Sequence, residues 1–259
     1  MNIVACVKQV PDTWADKKLL PESKTLDRES ADSVMNELDE YAVEEALRLK
    51  DLHGGTVTIL TMGPSKSVQT VRKALSMGAD AAVLVTDDGL VGSCAMATSR
   101  VLAAAIGTLE ADLVVFGSEA TDARTGVVPA LVAERLGQPQ LTLANKVEVD
   151  GSTIRVNRTT DTGYDVVEAQ LPAVVSVVEK TNEPRYPSFK GIMAAKSKPL
   201  TTLTLADLGI DQSEVGAAGA TTEVREFTEA PARSGGEIVT DSGDGAAKLA
   251  AFLRTGKFL

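Results

Sequence analysis

Apolar and polar positions follow two alternating spacings along the first half of the chain. Short aliphatic runs predict buried strands, and stretches with apolar residues three or four apart predict amphipathic helices. The strands are expected at residues 2–7, 56–62, 81–86 and 112–116, and the helices at residues 38–50, 67–77, 93–106 and 127–136. This alternation, with short connections, predicts right-handed β-α-β units and an open, mostly parallel sheet with flanking helices, a Rossmann-type α/β layering.

The pattern changes after residue 140. Residues 146–149 and 153–157 flank Asp150-Gly151, which is typical of a hairpin turn. A further strand is expected at residues 164–169 and a buried one at residues 173–178. Antiparallel strands are therefore expected to extend the parallel sheet.

Two domains are expected, an α/β domain at residues 1–200 and an arm at residues 201–259. Residues 210–245 carry few large apolar side chains, so they cannot bury enough surface alone to offset the entropy of ordering. The amphipathic stretch at residues 246–253 predicts a short helix that packs on another chain. A flexible, poorly ordered tail is the alternative.

Composition and charge exclude several function classes. The net charge of −10 argues against a general nucleic-acid binder. With one histidine and two cysteines, Cys6 and Cys94, zinc sites and Ser-His-Asp triads are not expected. Both thiols are predicted to be buried and inert. No apolar run approaches the ~20 residues that span a bilayer, so a soluble protein of the cytoplasm or an organellar matrix is expected.

Side chains on the predicted helix at residues 38–50 divide into two faces. Leu38, Leu47 and Leu49 are expected to point inward. Glu44 and Glu45 are expected to point into solvent.

The loop at residues 117–126 joins a predicted strand to a predicted helix. Unpaired N–H groups at a helix start favour an anion, and Thr125 and Gly126 allow close approach of a phosphate. The glycine spacing fits neither a Walker loop nor the dinucleotide fingerprint. Phosphate binding and an ordinary capped turn therefore remain equally open.

Residues 171–198 combine a buried strand with an unusual polar and basic continuation. Pro184 and Pro187 favour a rigid, extended stretch, and a short helical piece at residues 189–198 mixes apolar with basic side chains. On an acidic protein, such a patch predicts a docking surface for an acidic partner. A solvated surface helix is the alternative.

Four blocks of sequence, in order, resemble the electron-transfer flavoprotein beta family. The signature is LPAVV, NEPRY and P-x-x-x-x-I-M-x-A-K within residues 171–198. VACVKQVPD at residues 4–12, MNELDEYAVEEALRLK at residues 35–50 and RKALSMGAD at residues 72–80 resemble further family blocks. The resemblance covers most of residues 1–210.

The resemblance implies an electron carrier subunit that does no covalent chemistry itself. It implies a heterodimer with an alpha subunit that holds the redox-active FAD, while this chain holds AMP and its arm wraps the alpha subunit. It further implies that electrons arrive from flavin dehydrogenases of the acyl-CoA dehydrogenase type and leave to a quinone oxidoreductase or a similar acceptor. Fatty acid oxidation is the implied setting.

The resemblance also implies functional positions. The nucleotide contacts would be Cys6, Asn36, Glu37, Leu38, Asp39, Met62, Gly117, Ser118, Glu119, Ala120, Thr121, Asp122, Ala123, Arg124, Thr125, Gly126, Val127 and Val128. The docking contacts, within a recognition loop at residues 182–198, would be Glu183, Arg185, Tyr186, Phe189, Lys190, Ile192, Met193 and Lys196. Leu38 and the loop at residues 8–12 would lie nearest the flavin.

This chain departs from the family pattern at several of these positions. Glu119 and Val127 replace glutamines, Ala123 and Arg124 replace aspartates, and Phe189 replaces a leucine. Two alternatives stay open: an electron-bifurcating flavoprotein with a second FAD in this subunit, and a nucleotide-binding regulatory protein of the stress-protein type.

Overall fold

A computed structural model of the chain describes residues 1–232, 235–236 and 238–258. It divides into two compact units, Met1–Arg225 and Glu226–Leu259. The first unit extends beyond the boundary expected at residue 200.

Nine strands of the first unit form one sheet, and two short strands pair separately. The strands are β1 (Asn2–Cys6), β2 (Gln9–Pro11), β3 (Ser33–Met35), β4 (Thr56–Met62), β5 (Ala81–Val85), β6 (Leu113–Gly117), β7 (Gln140–Asp150), β8 (Thr153–Thr160), β9 (Gly163–Gln170), β10 (Ala173–Val177) and β11 (Leu200–Leu203). The helices are α1 (Glu37–His53), α2 (Val68–Met77), α3 (Ala95–Gly107), α4 (Val128–Leu136), α5 (Phe189–Ala195) and, in the second unit, α6 (Gly245–Thr255).

The strand order of the large sheet is β11-β5-β4-β1-β6-β10-β7-β8-β9. All neighbouring strands run parallel except the pairs β7–β8 and β8–β9, which form the antiparallel extension. The chain starts at β1, adds β4 and β5 on one side, and then places β6 and β10 on the other. The direction of winding therefore reverses between β1 and β6. The predicted α/β fold is confirmed.

Alternating side chains of the buried strands supply two hydrophobic cores. Ile59 packs into the core that contains Leu47 of α1 and Leu75 of α2. The next residue of β4, Leu60, points to the other face, where Val101 of α3 belongs to the second core. Since successive strand residues face opposite ways, continuous aliphatic runs suit a sheet covered on both faces.

Helix ends follow from local chemistry. Gly137 ends α4 in the left-handed conformation, with φ 63°, and its N–H bonds to the carbonyl of Glu134. The helix predicted at residues 127–136 is confirmed.

Two predictions about buried groups were wrong. Glu44 and Glu45, expected in solvent, are buried to 8% and 1% relative exposure. Glu44 pairs with Arg185 of a distant segment, which periodicity along one helix cannot reveal, and Glu45 pairs with Arg48 one turn later in the same helix. Cys94, expected inside the helix, is the half-buried residue that precedes α3. N–H groups of Ala97, Thr221 and Met96 outweigh burial and lower its pKa to about 6.

Three short strands were not predicted. β2 and β3 pair antiparallel with each other, and β11 pairs parallel with β5 at the sheet edge. Within the described residues, no helix is long and apolar enough to cross a membrane.

Candidate functional site

Polar side chains of three chain segments meet at the carboxyl ends of β1 and β6. In open α/β sheets, ligands bind beyond the carboxyl ends of the strands, where the winding direction reverses. Here that point lies between the residues that follow β1 and the β6–α4 loop, residues 118–127.

Asn36 and Asp39 at the start of α1 connect these two chain segments. The Asn36 side chain donates to the carbonyl of Glu119 at 2.9 Å and accepts from the N–H of Thr121 at 3.1 Å. The Asp39 carboxylate accepts from the N–H of Lys8 at 2.7 Å. The start of α1 therefore holds both loops in place.

Asp39 is buried, and burial raises the pKa of its carboxyl group to about 7. Hydrogen bonds from Asn36 and from the N–H groups of Lys8 and Gly117 act in the opposite direction but do not cancel the desolvation. The site therefore contains a carboxyl group that changes charge near neutral pH.

Gly117 ends β6 where the backbone of α1 approaches closely. A Cβ atom at this position would lie 2.5 Å from Asp39 Oδ1 and 2.8 Å from the Leu38 carbonyl oxygen. Only glycine fits this crossing without a shift of α1.

Asp122 lies between two cations and has a fully buried side chain. Lys8 Nζ is 2.9 Å from Asp122 Oδ1, and Arg28 NH2 is 2.6 Å from Oδ2. Burial opposes ionisation, but the two cations outweigh it and hold the pKa of Asp122 below its usual range. The triad of Lys8, Asp122 and Arg28 secures the β6–α4 loop. The role of Arg28 was not predicted, because it lies 94 residues away from Asp122 along the chain.

The outer part of the β6–α4 loop is exposed. Within the part of the chain that the structure describes, the N–H groups of Thr125, Gly126 and Val127 find no acceptor. Among the residues with described structure, no side chain caps the start of α4. Thr121 is 8% exposed, and its buried hydroxyl has no hydrogen-bond partner among the described residues. These groups are free to bind an anionic ligand.

Other predicted nucleotide contacts divide into buried and exposed positions. Cys6 is buried, and desolvation raises the pKa of its thiol well above the usual value. Met62 is half-buried at the end of β4, and Glu37 is exposed. Arg124 forms an ion pair with Glu119, with 3.2 Å between Arg124 NH1 and Glu119 Oε1. The remaining predicted positions, Ser118, Ala120, Ala123 and Val128, lie along the β6–α4 loop and at its end.

The docking segment, residues 182–198, follows β10 and runs along α1 to the end of α2. It contacts α1 between Tyr41 and Asp51, and α5 packs on α2, whose last residues precede β5. A Cβ atom at Gly191 would lie 2.4 Å from the Ser76 carbonyl oxygen, so α5 and α2 are in close contact. Arg72 donates to the Ala195 carbonyl and anchors the end of α5.

Most predicted docking side chains are exposed. Tyr186 and Phe189 are 95% and 82% exposed, and Ile192 and Met193 are about half exposed. Glu183, Lys190 and Lys196 are also exposed. Between this surface and the end of α2 lies an open groove of about 350 Å³, lined in part by Tyr186 and Lys190.

Arg185 is the exception among the docking positions. It forms a bidentate pair with Glu44, with 2.8 Å and 2.9 Å between the paired atoms, and a 3.0 Å contact with Asp51. The pairing of Arg185 with Glu44 and Asp51 was not predicted from the sequence, because both carboxylates lie more than 130 residues away from Arg185 along the chain.

Comparison with known proteins identifies the family. Residues 23–208 match the model of the electron transfer flavoprotein domain. The chain is 51% identical, over its whole length and 99% of the relative, to the electron transfer flavoprotein subunit beta of Mycobacterium leprae. It is 41% identical to the protein of that name from Clostridium acetobutylicum, over 92% of each chain.

The chain belongs to the electron transfer flavoprotein beta subunit family. The family resemblance of the sequence motifs is thereby confirmed. An Acetobacterium woodii protein named Caffeyl-CoA reductase-Etf complex subunit CarD is 38% identical, over 93% of this chain and 92% of the relative. Members thus carry names from more than one electron-transfer system, and the family alone does not specify the redox partners.

Proposed function

We propose that this chain is the beta subunit of an electron transfer flavoprotein heterodimer. The alpha subunit holds the FAD, which accepts electrons from flavin dehydrogenases of the acyl-CoA dehydrogenase type and passes them to a quinone oxidoreductase or a similar acceptor. The observation that carries the proposal is the docking segment, where exposed Tyr186 and Phe189 project from a firmly attached backbone. This chain binds, orients and docks, and supplies no covalent chemistry.

AMP is the proposed ligand of the site between β1 and β6. The N–H groups of residues 125–127 would receive the phosphate at the start of α4, and the Thr121 hydroxyl would gain its missing partner. Asn36, Asp39 and the Asp122 triad would hold the loop in the receptive conformation. Two observations support the fit of AMP to this site. The buried Thr121 hydroxyl lacks a hydrogen-bond partner among the described residues, and β6 approaches α1 closely at Gly117.

Thr121→Val tests the nucleotide site. The substitution removes a buried hydroxyl that has no hydrogen-bond partner among the described residues, so the stability of the free chain should change by less than ~1 kcal/mol. Nucleotide retained through purification should fall at least several-fold, measured by chromatography of the released nucleotide. Thr70→Val, a buried threonine of α2 outside the site, is the matched control.

The same chromatography decides between ligands. Released AMP supports the proposal, and released FAD in a second equivalent supports the bifurcating alternative. Retention by Thr121→Val equal to that of the control would contradict the assignment of the loop.

Docking is proposed to combine apolar anchors with electrostatic attraction. The exposed apolar side chains would bury area on the dehydrogenase, and Lys190 and Lys196 would attract acidic residues there. On a chain with a net charge of −10, this local positive patch would favour one orientation of approach.

Phe189→Ala tests the docking assignment. In the heterodimer, the KM of a dehydrogenase for the flavoprotein should rise about tenfold, because an exposed aromatic anchor is truncated, while FAD content stays unchanged. Val91→Ala, an exposed apolar residue outside the docking segment, should leave this KM unchanged. Loss of FAD from Phe189→Ala would assign residue 189 to the flavin-binding interface instead.

A further inference from the structure

Two adjacent carboxylates of α1 hold the first residues of the docking segment. Glu44 Oε2 accepts from both the backbone N–H and the Nε of Arg185, at 3.0 Å and 2.8 Å. Glu45 Oε2 accepts from the Asn182 side-chain amide at 3.1 Å, and that amide also donates to the Tyr41 carbonyl at 3.0 Å. The segment is thus attached at both ends of a four-residue stretch.

These carboxylates have little exposure of their own. The side chains of Glu44 and Glu45 are 11% and 1% exposed, and Arg48 neutralises Glu45 while donating to the Val147 carbonyl at 2.7 Å. Arg185 is 37% exposed and covers Glu44. Glu44 therefore has little surface to offer a docking partner and acts through Arg185.

Apart from the attachment of Arg185 to Glu44, few contacts orient the exposed side chains that follow Arg185 in the docking segment. Tyr186 is 95% exposed and Phe189 is 82% exposed, so few packing contacts restrain either side chain. Their backbone is restrained on one side by Glu44 and on the other by the packing of α5 on α2. A bidentate arginine–carboxylate pair is directional, and it suits this orienting task better than a point contact.

We propose that Glu44 is a positioning residue for docking: it fixes Arg185, and thereby the orientation of Tyr186 and Phe189, for the electron donor. The inference rests on the proposed docking function. It assigns a role to a buried residue of α1 that lies outside the docking segment itself. Replacement should change how often an encounter is productive and should leave the flavin environment unaltered.

Glu44→Gln in the complete heterodimer is the direct test. Glutamine keeps the volume and one acceptor oxygen but loses the charge and the bidentate geometry. The KM of the dehydrogenase for the flavoprotein should rise five- to twentyfold, with kcat within a factor of two and with FAD and nucleotide contents unchanged. Glu40→Gln, one turn earlier on α1 and paired with Lys73, should match the wild type.

Hydrogen exchange of residues 182–190 supplies a second readout. Amides of this stretch should exchange faster in Glu44→Gln than in Glu40→Gln, while the rest of α1 stays protected. A global loss of protection, with parallel decreases of kcat and FAD content, would identify Glu44 as a scaffold residue and overturn the proposal.

A double-mutant cycle with Arg185→Met tests whether Glu44 acts through Arg185. Arg185→Met alone leaves Glu44 buried without its partner, so adding Glu44→Gln should raise the thermal midpoint. It should also increase KM by less than twofold beyond Arg185→Met. Fully multiplicative effects on KM would contradict action through Arg185.

Comparison with Phe189→Ala separates the two proposals. An increased KM in Phe189→Ala with none in Glu44→Gln leaves docking intact and overturns positioning. No change of KM in Phe189→Ala overturns the docking function on which the inference rests.

Discussion

The buried carboxyl groups of the nucleotide site differ in how the protein handles their charge. Asp122 is ionised because Lys8 and Arg28 both contact it, and its pKa is lowered despite burial. Burial raises the pKa of Asp39 to about 7, because its hydrogen-bond donors and the charge of Lys8, which makes no ion pair with it in the described structure, do not offset the desolvation. The two groups lie in the same site and titrate in different pH ranges.

Asp39 should make the stability of the isolated chain depend on pH. Its folded pKa of about 7 exceeds the ordinary value of about 4, so its contribution is fully present below about pH 4 and is lost as the pH rises to about 7. Between pH 5 and pH 8, we expect the free energy of unfolding to fall by about 2–3 kcal/mol from this group.

Asp39→Asn isolates this contribution. The variant loses acceptors for backbone N–H groups, so it should be less stable than the wild type, and more so at pH 5 than at pH 8 by that same amount. Urea unfolding at both pH values measures the difference. Asp112→Asn, an exposed carboxylate that accepts from the Asn2 N–H, is the control. An equal cost of Asp39→Asn at both pH values would show that Asp39 does not titrate in this range.

Residue-level prediction from sequence succeeded where the chemistry is local. The bounds of α4 and the position of the β6–α4 loop follow from adjacent residues. Prediction failed for Glu44 and Glu45, because their partners Arg185 and Asn182 come from the distant docking segment. Arg28 was missed for the same reason.

Whole elements were more predictable than single residues, because periodicity averages over many positions. Strands β1, β4, β5, β6 and β10 were predicted within two residues of their observed bounds, whereas β7, predicted at residues 146–149, begins at Gln140. The missed strands, β2, β3 and β11, have three or four residues each, which is too short for a periodic signal, and β2 includes Pro11. They become strands only because a neighbouring segment is available for pairing.

Helix α1 illustrates what periodicity leaves out. Its apolar face was correctly predicted to pack on the sheet, as Ala42, Ala46 and Leu49 do. Its polar positions serve two sites, Asn36 and Asp39 near the nucleotide loop and the later carboxylates near the docking segment. One helix therefore supports both candidate sites, an arrangement set by the fold and not by helical propensity.

At the scale of the molecule, the nucleotide site and the docking groove lie at different ends of the sheet, although the docking segment begins beside Tyr41 in the first half of α1. The nucleotide site lies at the carboxyl ends of β1 and β6, and the docking groove lies beside the end of α2, next to the amino end of β5. Ligand binding and partner docking can therefore be altered separately by mutation. This separation lets FAD content, nucleotide content and KM report on different parts of the chain.

The unit Glu226–Leu259 is the proposed attachment to the alpha subunit. Its helix α6 carries exposed Leu249 and Phe252, and the ring of exposed Phe258, beyond the helix end, stacks on Phe252 with centroids 6.4 Å apart. Exposed apolar side chains on an amphipathic helix are typical of a surface that another chain covers. Residues 1–225 contain the complete nine-stranded sheet and both cores.

A chain that ends at Arg225 should therefore fold but fail to pair. We expect its thermal midpoint to lie within a few degrees of the full chain, since the cores remain, while co-purification with the alpha subunit is lost.

Phe252→Asp in the full chain should weaken pairing with the alpha subunit at least tenfold, because it places a charge in the apolar surface. Lys248→Ala, which removes only an exposed pair with Asp244, is the matched control and should pair normally. Unaltered pairing of the truncated chain would assign the alpha-subunit interface to the first unit instead.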